Sequence, residues 1–264
     1  MKRIIAALSF FTRLPFWRMA NLEKEHYEHV VPLWPLAGWL TGGVMAVVYW
    51  AATIVFTPSI AIIAALISRI LITGALHEDG FADFCDGFGG GTTRERILTI
   101  MKDSHIGTYG VLGLILYLAL IGSLLHGIQA NMQSTMAAKW ITQSMMAIFI
   151  IADTFCKWAA STIIYRLPYA RRETDAKSKL VYTKASILEK VVSLLLGVLP
   201  ACMLASYGGL TLTTLLPACC ASFITAQLLF IYMNRRIGGY TGDCCGATFI
   251  ITETMFYLIL TALI

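Results

Sequence analysis

The sequence has few charged residues. Only 13% of its 264 residues are Asp, Glu, Lys or Arg, whereas 58% are hydrophobic. Soluble globular proteins carry about 25% charged residues, so this composition excludes a soluble fold and predicts an integral membrane protein. The chain also lacks a recognisable soluble domain, a low-complexity tract and an internal repeat. We therefore expect a single transmembrane helical domain over residues 1–264.

Cysteine pairs of the CxxC type are absent as well. The chain has seven cysteines, an odd number, and four of them fall within long apolar stretches, where a thiol behaves as a small apolar side chain. The other three lie in segments that we predict to face the reducing cytoplasm. This distribution argues against disulfides and against a zinc site.

Long apolar runs dominate what is present. Seven of them have the roughly 17–25 residues that a helix needs to cross a bilayer. Pro58 separates the first two, and only Gly208 and Gly209 separate the fifth from the sixth. The sequence thus predicts an all-α polytopic bundle of about seven transmembrane helices. These runs cover approximately 36–57, 59–76, 107–131, 140–164, 191–207, 209–233 and 246–264.

The basic residues predict the topology of this bundle. Cytoplasmic loops collect Lys and Arg, and 17 of the 20 basic residues lie in four segments that seven crossings place on one side. We predict that these segments are cytoplasmic: 1–31, 77–106, 165–190 and 234–245. We expect segment 1–31 to form an amphipathic helix on the inner leaflet rather than a cleaved signal, because Arg13 and Arg18 follow its short apolar core.

The densest polar stretch runs from His77 to Gly110. Asp79, Asp83 and Asp86 are spaced at i, i+4 and i+7, which places them on one face of a helix, where like charges repel unless a cation lies among them. Mg²⁺ prefers such oxygen ligands. We therefore predict a Mg²⁺ site at these three residues, with Glu78 as a further ligand. A solvated acidic helix face is the alternative.

Glycines and basic residues follow the acidic cluster. The glycines between positions 87 and 91 should end the helix and leave backbone amides open to an anion, although no Gly-Lys-Ser/Thr step makes them a Walker motif. Arg94, Arg96 and Lys102 are candidates for binding a substrate diphosphate, since Arg can bind two phosphate oxygens at once. Alternatively, these basic residues only set the orientation of the chain in the membrane. Asp103 is a candidate for completing the metal site or for orienting a hydroxyl.

Two later polar segments should lie on the same side. The segment 235–247 contains the turn Thr241, Gly242 and Asp243, and a carboxylate so near the membrane needs a partner. The segment 165–173 carries three arginines that are candidates for binding anionic lipid or a substrate phosphate. These are Arg166, Arg171 and Arg172.

Four ionisable residues lie within predicted spans. Asp153 and Lys157 are four residues apart, and we expect them to form a structural ion pair on one helix. Arg69 and Glu253 have no partner nearby in the sequence and should face the interior of the bundle. A polar cavity that reaches into the bilayer is the functional alternative.

Six sequence blocks, in this order, resemble the cobalamin synthase family of adenosylcobinamide-GDP ribazoletransferases. The match runs nearly from end to end of the chain. The blocks are FFTRLP at 10–15, PLAG at 35–38, HEDGFADFCDG at 77–87, IMKDSHIGTYG at 100–110, YAR at 169–171 and GGYTGDCCGA at 238–247.

The resemblance implies a Mg²⁺-dependent phosphotransferase of the inner membrane. Its substrates would be adenosylcobinamide-GDP and α-ribazole, or α-ribazole 5′-phosphate. The products would be GMP and adenosylcobalamin, or its 5′-phosphate, in the last assembly of the nucleotide loop. We expect these small molecules and the lipid bilayer as partners, and no nucleic acid. A homo-oligomer is compatible with this function.

Roles for individual residues follow from the same resemblance. The acidic motif of the family falls on Asp79, Asp83 and Asp86, which we assign to the metal together with Glu78. We expect Asp103 or Asp243 to act as the base. The residues assigned to substrate binding are Arg94, Arg96, Lys102, Ser104, Arg171, Thr241 and Gly242.

Two other functions compete with this interpretation. A CDP-alcohol phosphotransferase of lipid synthesis also uses an aspartate cluster beside the membrane, but here Asp83 follows Ala82 where that class has Arg, and its downstream Gly-x-x-x-Asp-x-x-x-Asp block is missing. A cation-coupled or proton-coupled transporter would use Arg69, Asp153 and Glu253. Transporter sites lie at the bilayer midplane, whereas we predict a loop position for the acidic cluster.

Overall fold

The computed structural model describes residues 1–134, 137–171, 182–183, 185–205 and 210–264. These residues form twelve α-helices and two 3₁₀ turns, and they contain no β-strand. The predicted all-α fold is therefore confirmed. In chain order the helices are α1 (Lys2–Phe11), α2 (Lys24–Glu28), α3 (Trp34–Thr53), α4 (Pro58–Thr73), α5 (Leu76–Gly90), α6 (Arg94–Ile100), α7 (Thr108–Gln133), α8 (Ala138–Ser161), α9 (Ile163–Arg166), α10 (Ile187–Leu204), α11 (Leu212–Ile237) and α12 (Gly242–Leu263).

Six helical segments are long and apolar enough to cross a membrane. They contain α3, α7, α8 with α9, α10, α11 and α12, and they match six of the seven predicted spans. The turn predicted at Gly208 and Gly209 lies outside the described residues. The same holds for Arg172 and for much of the predicted loop 165–190. The chain is thus a polytopic membrane protein.

The seventh predicted span differs from a simple crossing. Helix α4 has 16 residues, about 24 Å at the rise of an α-helix, and α5 follows it at an angle of 88°. Gly74 and Ala75 make this bend, because both adopt the left-handed backbone conformation, with φ of 65° and 59°. Residues 77–90, the first part of the predicted cytoplasmic segment 77–106, lie in this helix, which carries the acidic residues as predicted and packs against α7 and α12.

Glycine allows α5 and α12 to pack closely. A Cβ atom at Gly80 would lie 3.1 Å from the Cα atom of Asp243, and one at Gly246 would lie 3.1 Å from the carbonyl oxygen of His77. Small residues at such crossings let two backbones approach each other. The acidic helix is therefore held against the start of the last helix.

The outer surface of the bundle is apolar. Large aliphatic side chains such as Leu116 on α7, Leu195 on α10 and Leu228 on α11 are about 60% exposed, as expected for contact with lipid chains. Most of α8, by contrast, is buried at the centre of the bundle. Helix α1 buries Ala6, Ala7 and Phe11 against neighbouring segments and leaves its other face exposed, as we predicted for an amphipathic helix.

The polar segments meet at one end of the bundle. The backbone N–H of Arg13 donates to the carbonyl of Ile72 at 2.7 Å, and the side chain of Arg236 donates to the carbonyl of Gly91 at 2.7 Å. Helix α7 ends beside the end of α12, where the amide of Asn131 donates to the carbonyl of Thr261. The end of the bundle where the polar segments meet, near Arg13 and Arg236, carries the candidate site.

Candidate functional site

A cavity of about 240 Å³ opens at the polar end of the bundle. Its walls come from α1, the starts of α3, α5 and α12, the end of α8, and the segment 169–171. Aromatic side chains form much of the lining. Burial raises the pKa of Tyr169, Tyr182 and Tyr240 above the usual value, so these phenols stay neutral at physiological pH.

Two predicted carboxylates line this cavity. Asp79 lies in the first turn of α5, and Asp243 lies in the first turn of α12. Thr241 precedes α12 and caps it, because its hydroxyl accepts the backbone N–H of Cys244 at 3.4 Å. The same hydroxyl donates to the Asp243 carboxylate at 3.4 Å. The Thr-Gly-Asp turn therefore starts a helix whose first residues face Asp79.

The other predicted metal ligands have different surroundings. Asp86 is buried and accepts the backbone N–H groups of Gly107 and Gly110 at 2.7 and 2.8 Å, which ties α5 to the start of α7. Glu78 is buried on the inner side of α5, where one carboxylate oxygen lies 3.8 Å from Arg69. Asp83 is partly buried one helical turn beyond Asp79.

The four predicted ligands consequently do not converge on one point. Among the described residues no three His, Cys, Asp or Glu side chains form a group that could hold a metal ion on their own. Mg²⁺ does not need such a cage, because it often binds through one or two carboxylates together with waters and substrate phosphates. The cavity-facing carboxylate of Asp79, with Asp83 on the same helix face, fits that kind of site. Asp86 is held by two backbone amides, whereas the buried carboxylate of Glu78 lies near Arg69 without a hydrogen-bond partner among the described residues.

A second, more open basin of about 710 Å³ adjoins the cavity. It contains four of the residues that we assigned to substrate or catalysis, namely Arg94, Lys102, Asp103 and Arg171. Arg171 lines both the cavity and the basin. The two spaces are therefore neighbours that share the side chain of Arg171.

Asp103 is exposed in this basin. The backbone N–H of His105 donates to its carboxylate at 3.0 Å, and the ring Nδ1 of His105 lies 2.7 Å from it. These hydrogen bonds lower the pKa of Asp103 below its usual value. A general base works best when its pKa lies near the operating pH. Asp103 is therefore poorly suited to accept a proton.

Arg94 lines the basin and also binds the backbone of two neighbouring segments. Its Nε donates to the carbonyl of Ile237 and its Nη2 donates to the carbonyl of Ala170, both at 2.8 Å. Arg171 in turn donates to the carbonyl of Leu98 at 3.1 Å. Three polar segments that are distant in sequence are held together by these bonds.

We predict that Arg94→Ala will destabilise the protein by about 1–2 kcal/mol, because two charge-assisted hydrogen bonds to buried or partly buried carbonyls are lost. Thermal unfolding in detergent measures the change. Arg96→Ala is the matched control, since Arg96 is exposed on the same short helix. Equal unfolding midpoints for the two variants would contradict this role of Arg94.

Three predicted substrate-binding residues line neither space. Arg96 and Ser104 are exposed and lie outside the cavity and the basin, and Thr241 is buried as the cap of α12. Gly242 lines the cavity at the start of α12. The N-terminal end of a helix carries a partial positive charge, so α12 adds a site that favours an anion there.

The interior charges pair with one another. Arg69 and Glu253 form a buried ion pair, and the hydroxyl of Tyr117 lies 2.6 Å from Arg69. Asp153 and Lys157 form the expected ion pair on α8. The predicted interior location of Arg69 and Glu253 is confirmed. Arg69, Asp153 and Glu253, the residues that a transporter would use, line neither the cavity nor the basin.

Sequence reasoning missed several residues of the cavity. His77 and Phe249 line it, and Lys157, which we had treated only as a structural partner, lines it too. Phe10 and Phe11 belong to the FFTRLP block, so this block was a signal for a site near α1. Tyr182 gave no signal, because it stands alone between basic residues in the sequence.

These features define a polytopic membrane protein with a cavity that carries charged side chains at one end of its helical bundle. Comparison with known proteins gives the particular family. The chain belongs to the cobalamin-5-phosphate synthase family, whose model matches residues 3–261. The resemblance inferred from the six sequence blocks is thereby confirmed.

Curated relatives cover almost the whole chain. The adenosylcobinamide-GDP ribazoletransferase of Shewanella amazonensis is 34% identical over 263 residues, which are 100% of this chain and 96% of the relative. The enzyme of the same name from Vibrio cholerae is 34% identical over 262 residues, with 99% and 94% covered. No solved structure matches the chain.

Proposed function

We propose that this protein transfers a ribazole group to adenosylcobinamide-GDP and releases GMP. Membership of the cobalamin-5-phosphate synthase family supports this activity, as does the name adenosylcobinamide-GDP ribazoletransferase of relatives that match nearly the full chain. The observation that carries the proposal is that Arg171 lines both the cavity of Asp79 and Asp243 and the neighbouring basic basin. A diphosphate and a hydroxyl nucleophile can meet there.

The reaction is a phosphoryl substitution. A hydroxyl oxygen of α-ribazole, or of its 5′-phosphate, attacks the phosphorus atom attached to cobinamide. A new P–O bond forms as the P–O bond to the GMP phosphate breaks, and the hydroxyl proton passes to a base. Such reactions depend mainly on positioning and on neutralising the phosphoryl oxygens.

The residues divide into distinct roles in this proposal. Lys102 and Arg171 bind the diphosphate through the basin, and Asp243 accepts the proton of the attacking hydroxyl inside the cavity. Arg94 holds the basin in shape through its backbone contacts. Asp103 lies at the rim and orients a polar substrate group.

Mg²⁺ is the cofactor that fits this site. We propose that Asp79 and Asp83 hold it, with the substrate diphosphate supplying further oxygens. The ion, when bound, neutralises negative charge on the phosphoryl oxygens. Asp79 places a carboxylate in the cavity for that purpose.

The membrane location follows from charge. We propose that the chain resides in the inner membrane with its N-terminus and site in the cytoplasm, because basic residues collect in the segments around the site. If α4 crosses the bilayer, the chain has seven crossings and its C-terminal helix ends on the opposite side. A cytoplasmic site also gives water-soluble substrates direct access.

The decisive test is GMP release by the purified protein in lipid nanodiscs. We expect release only when adenosylcobinamide-GDP, α-ribazole and Mg²⁺ are all present, and we expect chelation by EDTA to stop it. Mass spectrometry identifies the corrinoid product. A folded protein that produces no GMP with all three components would overturn the proposed activity. Release that is unaffected by EDTA would overturn the metal proposal alone.

A further inference from the structure

His77 is a buried polar side chain in the wall of the cavity. It is 3% exposed, and neither of its ring nitrogens has a hydrogen-bond partner among the residues that the structure describes. Buried polar atoms are normally hydrogen-bonded, so such a pair of nitrogens indicates a missing partner. Because the ring lines the cavity, a ligand inside the cavity can supply that partner.

Aromatic rings surround this histidine. Its ring lies 5.8 Å from that of Phe11, nearly parallel to it, and 4.3 Å from that of Phe249, measured between ring centroids. Trp34 packs against Phe11 at 5.3 Å and against Tyr182 at 5.7 Å. Flat aromatic walls of this kind favour a flat aromatic ligand.

The size of the cavity limits what can enter. Pockets that enclose a complete drug-sized ligand measure roughly 300–1,000 Å³, so a cavity of about 240 Å³ holds one part of a substrate. The corrin macrocycle is far too large for it. A two-ring nitrogen heterocycle of a nucleoside has the appropriate size and shape.

The two heterocycles in the proposed reaction differ in polarity. Guanine carries a carbonyl, a ring N–H and an amino group on one edge, and each needs a partner when it is buried. The base of ribazole presents one unsubstituted ring nitrogen and otherwise apolar atoms. Between the rings of Phe11 and Phe249, His77 offers one hydrogen-bonding ring, which matches the second of these heterocycles. The charged side chains of the lining, Asp79, Lys157, Arg171 and Asp243, are then left for the ribose and phosphate groups.

We infer that this cavity binds the heterocyclic base of the ribazole substrate, and that His77 donates a hydrogen bond to its unsubstituted ring nitrogen. This inference rests on the proposed function and assigns one substrate to one part of the site. The base then lies beneath Asp79 and Asp243, and the attached ribose points its hydroxyls toward them. The diphosphate of the second substrate remains on the side of the basic basin.

The test compares His77→Phe with the wild-type protein by calorimetric binding in nanodiscs. Phenylalanine keeps the aromatic stack but has no ring nitrogen. We expect the Kd for α-ribazole to rise about five- to tenfold, the effect of one hydrogen bond, and the Kd for adenosylcobinamide-GDP to change less than about twofold. His126→Phe is the matched control, because His126 lies on α7 outside the cavity and should leave both values unchanged.

A modified ligand separates binding from structural damage. In the indole analogue of α-ribazole, carbon replaces the unsubstituted ring nitrogen. The wild-type protein should bind it about five- to tenfold more weakly than α-ribazole, and His77→Phe should show no further difference between the two ligands. If the variant does not fold, the comparison on the wild-type protein still decides the question.

Three outcomes would overturn the inference. Unchanged α-ribazole affinity in His77→Phe would make the histidine structural, and equal binding of the indole analogue by the wild-type protein would exclude the hydrogen bond. Selective weakening of adenosylcobinamide-GDP binding in His77→Phe would place guanine in the cavity. If the wild-type protein produces no GMP, the proposed activity fails, whereas normal turnover together with unchanged affinities overturns this inference alone.

Discussion

Asp79→Asn will reduce GMP release at least about a hundredfold while the protein still inserts and folds. Asparagine keeps the size of the side chain but removes the negative charge that faces the cavity. In the proposed mechanism this charge holds Mg²⁺ against the diphosphate, and losing one group that stabilises the transition state commonly costs a factor of about 10²–10³. Initial rates at saturating substrate and several Mg²⁺ concentrations measure the effect.

A matched control distinguishes the site from general charge effects. Glu25→Gln removes one negative charge from the exposed surface of α2 and should leave the rate unchanged. Asp86→Asn should instead lower stability, because Asp86 accepts two backbone N–H groups at the start of α7. If Asp79→Asn retains most of the wild-type rate, Asp79 does not hold a catalytic metal.

The second large effect concerns the core. Arg69→Met will destabilise the protein by about 3–5 kcal/mol, because Glu253 and Glu78 remain as buried carboxylates without their cation. Arg69 is 1% exposed, so solvent cannot replace the lost partner. The midpoint of thermal unfolding in detergent reports the change, and Lys139→Met, which removes an exposed cation at the start of α8, provides the control.

A double variant tests the cause. Adding Glu253→Gln to Arg69→Met removes one of the two stranded charges, and we expect it to recover part of the lost stability. If the double variant is less stable than Arg69→Met, the stability lost in Arg69→Met comes mainly from the packing of the arginine and not from its charge. If Arg69→Met is as stable as the wild-type protein, the ion pair makes no net contribution to stability.

Local patterns predicted much of the fold. Apolar runs with enough residues to cross the bilayer predicted the spans. The spacing of four residues predicted the ion pair between Asp153 and Lys157. Both signals are local, because a helix relates residues that are close in sequence. The pairing of Arg69 with Glu253 joins residues 184 positions apart, and no periodicity could have predicted it.

The sequence predicted many residues of the site but less of their arrangement in space. The spacing of Asp79, Asp83 and Asp86 placed them on one helix face, but it could not reveal that Gly107 and Gly110 already bind Asp86. The bend at Gly74 and Ala75 also escaped prediction, since an alanine with positive φ has no sequence signature. The aromatic wall draws single residues from separate segments, so only the folded chain brings them together.

The contribution of α12 to the cavity has a consequence for biosynthesis. This helix supplies Asp243, Gly246 and Phe249, and it follows every other lining element in the chain. A nascent polypeptide on the ribosome therefore carries an unfinished cavity until translation has passed residue 249. Chains that stop earlier lack this wall, so an incomplete copy inserted by the translocon has no closed cavity.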